Sequence, residues 1–177
     1  MEITDTPTAS KVPSRTLTAD VGVLVLRVVF GGLLTAAGLQ KLLGWFGGPG
    51  LTETGAMFEQ IGYRPGVFFA GVAGLLEVVG GLLLLLGLFT PLASAIVIGV
   101  MINAASATWS AGLFGLGGYQ MALLYGTAGA VIACTGAGVL ALDQGRPWQR
   151  TGPRWAAASI LTGVASAVAV LVLKTLM

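Results

Sequence analysis

Apolar positions in this chain fall in long, nearly unbroken runs instead of alternating with polar ones at strand or amphipathic-helix spacing. After about twenty mainly polar residues, five such runs follow, at about 21–43, 67–88, 92–109, 119–142 and 155–176. Each is close to the roughly 20 apolar residues that carry a helix across a bilayer. The pattern predicts an all-α, polytopic membrane bundle: a core of four spanning helices followed by a fifth, C-terminal one.

The polar and glycine-rich breaks predict the connections. "GLFTP" (87–91) reads as a tight αα-hairpin, with Gly87 ending one helix and Pro91 opening the next. The 44–66 connection is longer, and its segment "LTETGAMFEQIGY" puts Met57, Phe58 and Ile61 on one helical face and Glu53, Glu59 and Gln60 elsewhere. That is the pattern of a short helix lying in the membrane interface, placed to roof the bundle. In the fifth run Ser159, Gly163 and Ala167 recur every fourth residue, a spacing of small side chains that lets helices approach closely in lipid. This run reads as a peripheral addition to the other four.

Basic residues orient the chain. Lys11 and Arg15 precede the first run, and Arg146, Arg150 and Arg154 lie between the fourth and fifth; the other side has Arg64 in a loop and Lys41 and Lys174 near helix ends. The excess of Lys and Arg on cytoplasmic loops then predicts a cytoplasmic N-terminus, and after five crossings an external C-terminus, with loops 44–66 and 110–118 facing outward. The first run is too long for the apolar region of a secretion signal and reads as an uncleaved anchor. The expected division is a polar cytoplasmic tail (1–20), a four-helix core (21–142), and a basic cytoplasmic loop with the fifth helix (143–177).

Composition agrees and excludes several functions. The 177 residues are 55% hydrophobic and only 9% charged, with a mean hydropathy of +0.90, far from a soluble domain. A net charge of +2, with the nine basic residues spread along the chain, gives no footprint for nucleic acid. The single cysteine, Cys134, allows neither an internal disulfide nor a CxxC pair. The absence of histidine removes the usual haem ligand and the commonest ligand of catalytic metals, so no metal and no covalently bound cofactor is expected.

Two ionisable residues fall inside the runs. Arg27 lies in the first and Glu77 near the middle of the second, at depths that differ by roughly 7–8 Å at 1.5 Å per residue. A lone charge at the bilayer centre costs about 2.5–3.5 kcal/mol, so the two are expected to pair. The pair has two readings: a structural link holding two helices in register, or a proton relay. "LRVVFGGLL" (26–34) and "LEVVGGLLL" (76–84) repeat a charge, two valines and a glycine pair, which thins both helices there. Asn103 and Tyr125 add polar groups to the third and fourth runs.

The stretch "LQKLLGWFGGPG" (39–50) also has two readings. Trp45 and Phe46 suit the aromatic belt of a membrane boundary, and Lys41 can extend its ammonium to the headgroups. Alternatively Gln40 and Lys41 face the bundle as the lip of a pocket, with Trp45 and Phe46 at its entrance.

An arginine in the first helix, "GLQKLLGWFGGPGL" at its end, "FEQIGYRPG" in the loop and "AGLLEVVGGLLLLLGLFTPLA" across the hairpin together resemble the DoxX-like membrane proteins, from about Leu26 to Asp143. The family pattern maps onto Arg27, Gly38, Lys41, Glu77, Gly80 and Gly87. The resemblance implies a four-helix membrane core of the kind found in subunits of thiosulfate:quinone oxidoreductases and, in actinobacteria, in a complex with a superoxide dismutase and a thiosulfate sulfurtransferase. The resulting expectation is a multi-pass subunit of an electron-transfer or thiol/sulfur oxidoreductase assembly in a bacterial plasma membrane, with lipids and other protein subunits as partners. Its pocket would hold a quinone or a lipid through Gln40, Lys41, Trp45, Phe46, Asn103 and Tyr125. No catalytic residue is assigned, and whether the chain is itself an enzyme stays open. The alternatives are a non-catalytic scaffold that docks partner proteins and, less favoured by the number of spans, a small-solute transporter.

Overall fold

The computed structural model describes residues 17–176, so the polar N-terminal tail up to residue 16 lies outside the described residues. Those described form six α-helices and two short 3₁₀ turns, with no strand: α1 (Leu17–Leu43), α2 (Gly50–Gln60), α3 (Gly66–Leu86), α4 (Thr90–Ala107), α5 (Gln120–Thr135) and α6 (Pro153–Thr175). Four of them, α1, α3, α4 and α6, are long and apolar enough to cross a membrane. Large apolar side chains such as Val25, Leu33, Leu75, Leu82 and Leu161 point outward, as expected where lipid, not water, is the solvent.

With lipid outside, burial alone does not drive helices together, and close backbone approach takes over. Between α1 and α3 this depends on glycines. A Cβ added at Gly31 would stand 2.7 Å from the Gly81 carbonyl oxygen, and one at Gly38 would stand 2.6 Å from the Gly74 oxygen. The two contacts fix α1 and α3 as antiparallel, in one register. The α4–α6 interface uses the predicted small residues: Ser159 and Ala167 are buried, and a Cβ at Gly163 would meet the Ala95 carbonyl at 2.9 Å. The last helix is therefore seated along α4, closer to the core than the peripheral position expected of it. Leu34, Leu84, Ala93, Val97, Met101, Ala122 and Ile132 form the apolar centre.

The 87–91 connection is the predicted hairpin. Gly87 closes α3 in the left-handed region at φ 64, and Pro91 lies in the first turn of α4. The fourth predicted span is corrected. It ends at Thr135, seven residues short of the expected 142, because Gly136 (φ 71) and Gly138 (φ 79) turn the chain out of the helix. The 16 residues of α5 rise about 24 Å, less than the roughly 30 Å hydrocarbon core. The residues after it run as irregular backbone against the bundle.

The interfacial helix predicted within 44–66 exists as α2, but its faces divide differently. Thr54 and Gly55 are the buried positions, packed against the start of α3; Phe58 turns inward onto Tyr63 at a ring separation of 5.5 Å; Met57 and Ile61 face outward. The bundle thus has two distinct ends. The hairpin end gathers the N-termini of α1, α4 and α6, the C-termini of α3 and α5, and the 136–152 segment. The α2 end gathers the opposite termini.

Candidate functional site

Each end contains a buried polar cluster, and the expected Arg27–Glu77 ion pair is not among the contacts of either. The α1–α3 register puts Arg27 level with Leu85, eight residues beyond Glu77, an axial offset of about 12 Å. Helix α1 also begins four residues earlier than its apolar run suggested, which places Arg27 deeper from the helix start. Direction adds to distance, because side chains lean toward the N-terminus of their own helix. In antiparallel helices Arg27 therefore leans toward the hairpin end and Glu77 toward the α2 end.

The same geometry selects the partner Glu77 does have. Lys41 lies near the C-terminus of α1, and its side chain leans back down the helix as that of Glu77 leans up α3. The Lys41 Nζ donates to Glu77 Oε2 at 2.6 Å, with side-chain exposures of 29% and 6%. The lysine thus bridges a buried carboxylate and the outer part of the site. Tyr125 of α5 lies within electrostatic range of Glu77, and its ring meets Phe30 edge-on at 5.5 Å.

Arg27, 2% exposed, is held by main-chain oxygens. Its Nε donates to the Leu84 carbonyl at 3.1 Å, Nη2 to Leu85 at 2.9 Å, and Nη1 to Ala137 at 2.7 Å and Leu140 at 3.4 Å. Leu84 and Leu85 lie in the last turn of α3, where carbonyls run out of helical partners, although Leu84 also accepts from the Gly87 N–H at 3.1 Å. Ala137 and Leu140 lie in the irregular segment after α5. Non-helical backbone at membrane depth is tolerated where protein satisfies it, and the fork of donors on Arg27 does so from three directions.

Asp143 completes this end. Its carboxylate accepts hydrogen bonds from the backbone N–H groups of Phe89 and Thr90, the Thr90 hydroxyl and the Trp148 indole, all within 2.8–3.0 Å. It thereby caps the N-terminus of α4 from more than fifty residues away, where no local side chain does so. It also supplies the negative charge felt by Arg27. Asp20 accepts from the Val139 N–H at 3.2 Å. Asp143, Asp20 and Tyr63 were not picked out by sequence reasoning, since an isolated acid beside an apolar run carries no periodic signal.

The remaining candidates spread over the α2 end. Gln40 Nε2 donates to the Phe46 carbonyl at 3.4 Å, and Trp45 and Phe46 meet edge-on with both rings exposed. These three hold the surface turn after α1 together. Asn103 lies against the turn that follows α2, where its Oδ1 accepts from the Tyr63 hydroxyl at 3.3 Å and its Nδ2 donates to the Gly99 carbonyl at 3.0 Å. Burial beside Phe58 and Phe69 pushes the Tyr63 phenol above its ordinary pKa, keeping it a neutral donor. Lys174 of α6 sits over the Tyr63 ring at 4.8 Å. Of the predicted ligand set, the structure pairs Lys41 with Glu77, sets Tyr125 against Phe30, and places Asn103, Gln40, Trp45 and Phe46 in separate contacts.

Two cavities are described. One, of about 220 Å³, lies at the hairpin end beside Asp20, Thr135, Asp143 and Arg150. The other, of about 260 Å³, is an apolar groove between α4, α5 and α6, lined by Met101, Ala122, Gly126, Thr127 and Ile160 among others. Neither is lined by Arg27, Lys41 or Glu77. Among the described residues no three His, Cys, Asp or Glu side chains converge as a metal site would require. No curated protein and no solved structure matches the chain. The DoxX family model matches residues 22–111, from the second turn of α1 to just beyond α4 and short of α5. With just over half its length under that match, the chain belongs to the DoxX family of membrane proteins.

Proposed function

We propose that the chain is a non-catalytic, lipid-embedded frame within an oxidoreductase assembly, docking partner subunits that carry the redox centre. Family membership supplies the broad setting, since DoxX proteins are often associated with oxidoreductase functions. The observation that carries the finer reading is the internal satisfaction of both intramembrane charges: Arg27 by four carbonyls of its own chain, and Glu77 by Lys41. Groups committed in this way build a rigid bundle. A transport path or a redox site needs polar groups left available to a passing ligand.

The apolar groove between α4, α5 and α6 fits a hydrocarbon chain. Its lining offers the Thr127 hydroxyl and no charged group to orient a quinone carbonyl. A second reading places the head of a quinone or lipid at Lys41 and Tyr125, and the partial exposure of Lys41 favours it. In that reading the lysine ammonium would donate to a carbonyl or phosphate oxygen while Glu77 orients it.

Gentle purification from native membranes tests the main reading. The expected result is co-elution with a protein bearing flavin, haem or iron–sulfur absorbance, and no quinone reduction by the chain once separated from it. Single-turnover quinone reduction by the isolated chain overturns the proposal. For the second reading, Lys41→Met should weaken binding of a short-chain quinone if Lys41 is a ligand, and leave it unchanged otherwise.

A further inference from the structure

The cavity at the hairpin end differs from the rest of the bundle in chemistry. Its wall contains Asp20, Thr135 at the end of α5, and Asp143, Gln144, Gln149, Arg150 and Thr151 on the segment between α5 and α6. Beside it Val139, Leu140 and Leu142 are exposed apolar side chains. A recess of mixed polar and apolar lining therefore opens next to an apolar lip, the arrangement that an amphiphile with a compact polar head would fit.

Charge narrows the choice of head. Arg146, Arg150 and Arg154 are all exposed, and none of them meets a carboxylate among the described residues. The guanidinium of Arg150 makes only local hydrogen bonds, to the carbonyls of Pro147 and Gln149 at 3.2 and 3.4 Å. The two acids in the wall are occupied: Asp143 accepts from four donors, and Asp20 is buried against the Val139 N–H. Arg150 lines the recess, and among the described residues this end sets Arg27, Arg146, Arg150 and Arg154 against the carboxylates of Asp20 and Asp143, which leaves an excess of positive charge there.

Depth is marked by tryptophan. Trp148 and Trp155 are both part-exposed, and Arg146 and Arg150 lie over their rings at 5.9 and 5.5 Å. Tryptophan settles at the membrane–water boundary, and an arginine stacked on it is held there with its outer donors free. Basic recesses between spanning helices at that depth suit phosphate-bearing heads.

We propose that this recess binds the headgroup of an anionic phospholipid, with Arg150 as its principal ligand, Arg146 and Arg154 as its charged rim, and the acyl chains over Val139, Leu140 and Leu142. The site tethers the irregular 136–152 segment to the bilayer surface, where α5 falls short of it.

The test titrates the purified full chain, in neutral detergent, with phosphatidylglycerol and with phosphatidylcholine of the same acyl chains, followed by tryptophan fluorescence and native mass spectrometry. The chain is expected to prefer phosphatidylglycerol. Arg150→Gln, exposed and therefore compatible with folding, should lower that preference about fivefold. Arg64→Gln, at the opposite end of the bundle, should leave it unchanged. Equal affinity for the two lipids overturns the proposal, as does an Arg64→Gln effect as large as that of Arg150→Gln, which would reveal only diffuse charge. Displacement of phosphatidylglycerol by inorganic phosphate alone would reassign the recess to a free anion and overturn the lipid assignment.

Discussion

At the hairpin end of the bundle Arg27 gives its protons to main-chain carbonyls, whereas at the α2 end Glu77 meets the ammonium of Lys41. Both arrangements stabilise a charge that lipid would not tolerate, the first with neutral dipoles and the second with an opposite charge, and they differ in what they allow. Carbonyl dipoles are fixed by the backbone and do not titrate, so Arg27 locks α1, the end of α3 and the segment after α5 into one geometry. Lys41 is a flexible, part-exposed side chain that ties Glu77 to α1 through one ammonium, joining two helices where Arg27 joins three segments. The contrast separates a structural lock from an adjustable contact within a single helix pair.

The largest effect should come from Arg27→Leu, which removes the charged donor from four carbonyls, each such hydrogen bond contributing about 1.5–3 kcal/mol. We expect a loss of at least about 4 kcal/mol on that basis, read as failure to recover monodisperse protein. Arg27→Lys should rescue little, because a single ammonium cannot reach carbonyls in three directions. If Arg27→Leu proves no worse than the substitutions below, the distinction between lock and adjustable contact fails.

Gly87→Ala strikes the same lock from the other side. A Cβ there would stand 2.7 Å from the Arg27 guanidinium and 2.7 Å from the Ala141 methyl, on backbone at φ 64. Together these should cost about 2–3 kcal/mol. Gly145→Ala, with similar φ but open space around it, should cost only about 1 kcal/mol. Comparing the unfolding midpoints in detergent isolates the clash with Arg27 from backbone strain.

At the α2 end Lys41→Met leaves the Glu77 carboxylate unpaired and should cost about 2–3 kcal/mol. Adding Glu77→Gln should restore most of that, and a double-mutant cycle measures the coupling directly. Without such a rescue, Lys41 and Glu77 are not energetically coupled and the contact at the α2 end contributes nothing to stability. Tyr63→Phe removes the hydrogen bond to Asn103 and should cost about 1 kcal/mol, visible as a modest fall in thermal midpoint. Trp45→Ala with Phe46→Ala should change stability in detergent by no more than about 0.5 kcal/mol, since both rings are exposed.

Much of the fold is legible in the amino-acid sequence alone. The runs that became α1, α3, α4 and α6, the Gly87–Pro91 hairpin, the helix within 44–66 and the Ser159–Gly163–Ala167 stripe follow from composition and spacing, because lipid rewards continuous apolar surface and small residues wherever they occur. The stop at Thr135 was not legible, since "GAGVLAL" continues the hydropathy while its glycines end the helix. The candidate site was half legible. Lys41 and Glu77 meet, but depth alone assigns Arg27 to Glu77, and Asp143 carries no signal because the backbone of Phe89 and Thr90 that it caps is more than fifty residues away in sequence.

The sequence by itself determined which segments can live in lipid and that Arg27 and Glu77 each need a partner there, since both statements concern the transfer of one residue or one run out of water. Only the tertiary structure decided who those partners are. That choice depends on the register in which Gly31 and Gly38 meet Gly81 and Gly74, and on the lean of each side chain toward the start of its own helix. It also depends on carbonyls near residues 137–140 that become available only because α5 ends early. None of these is a property of a residue in isolation, which is why the charge that seemed to belong to Glu77 stabilises the opposite end of the molecule.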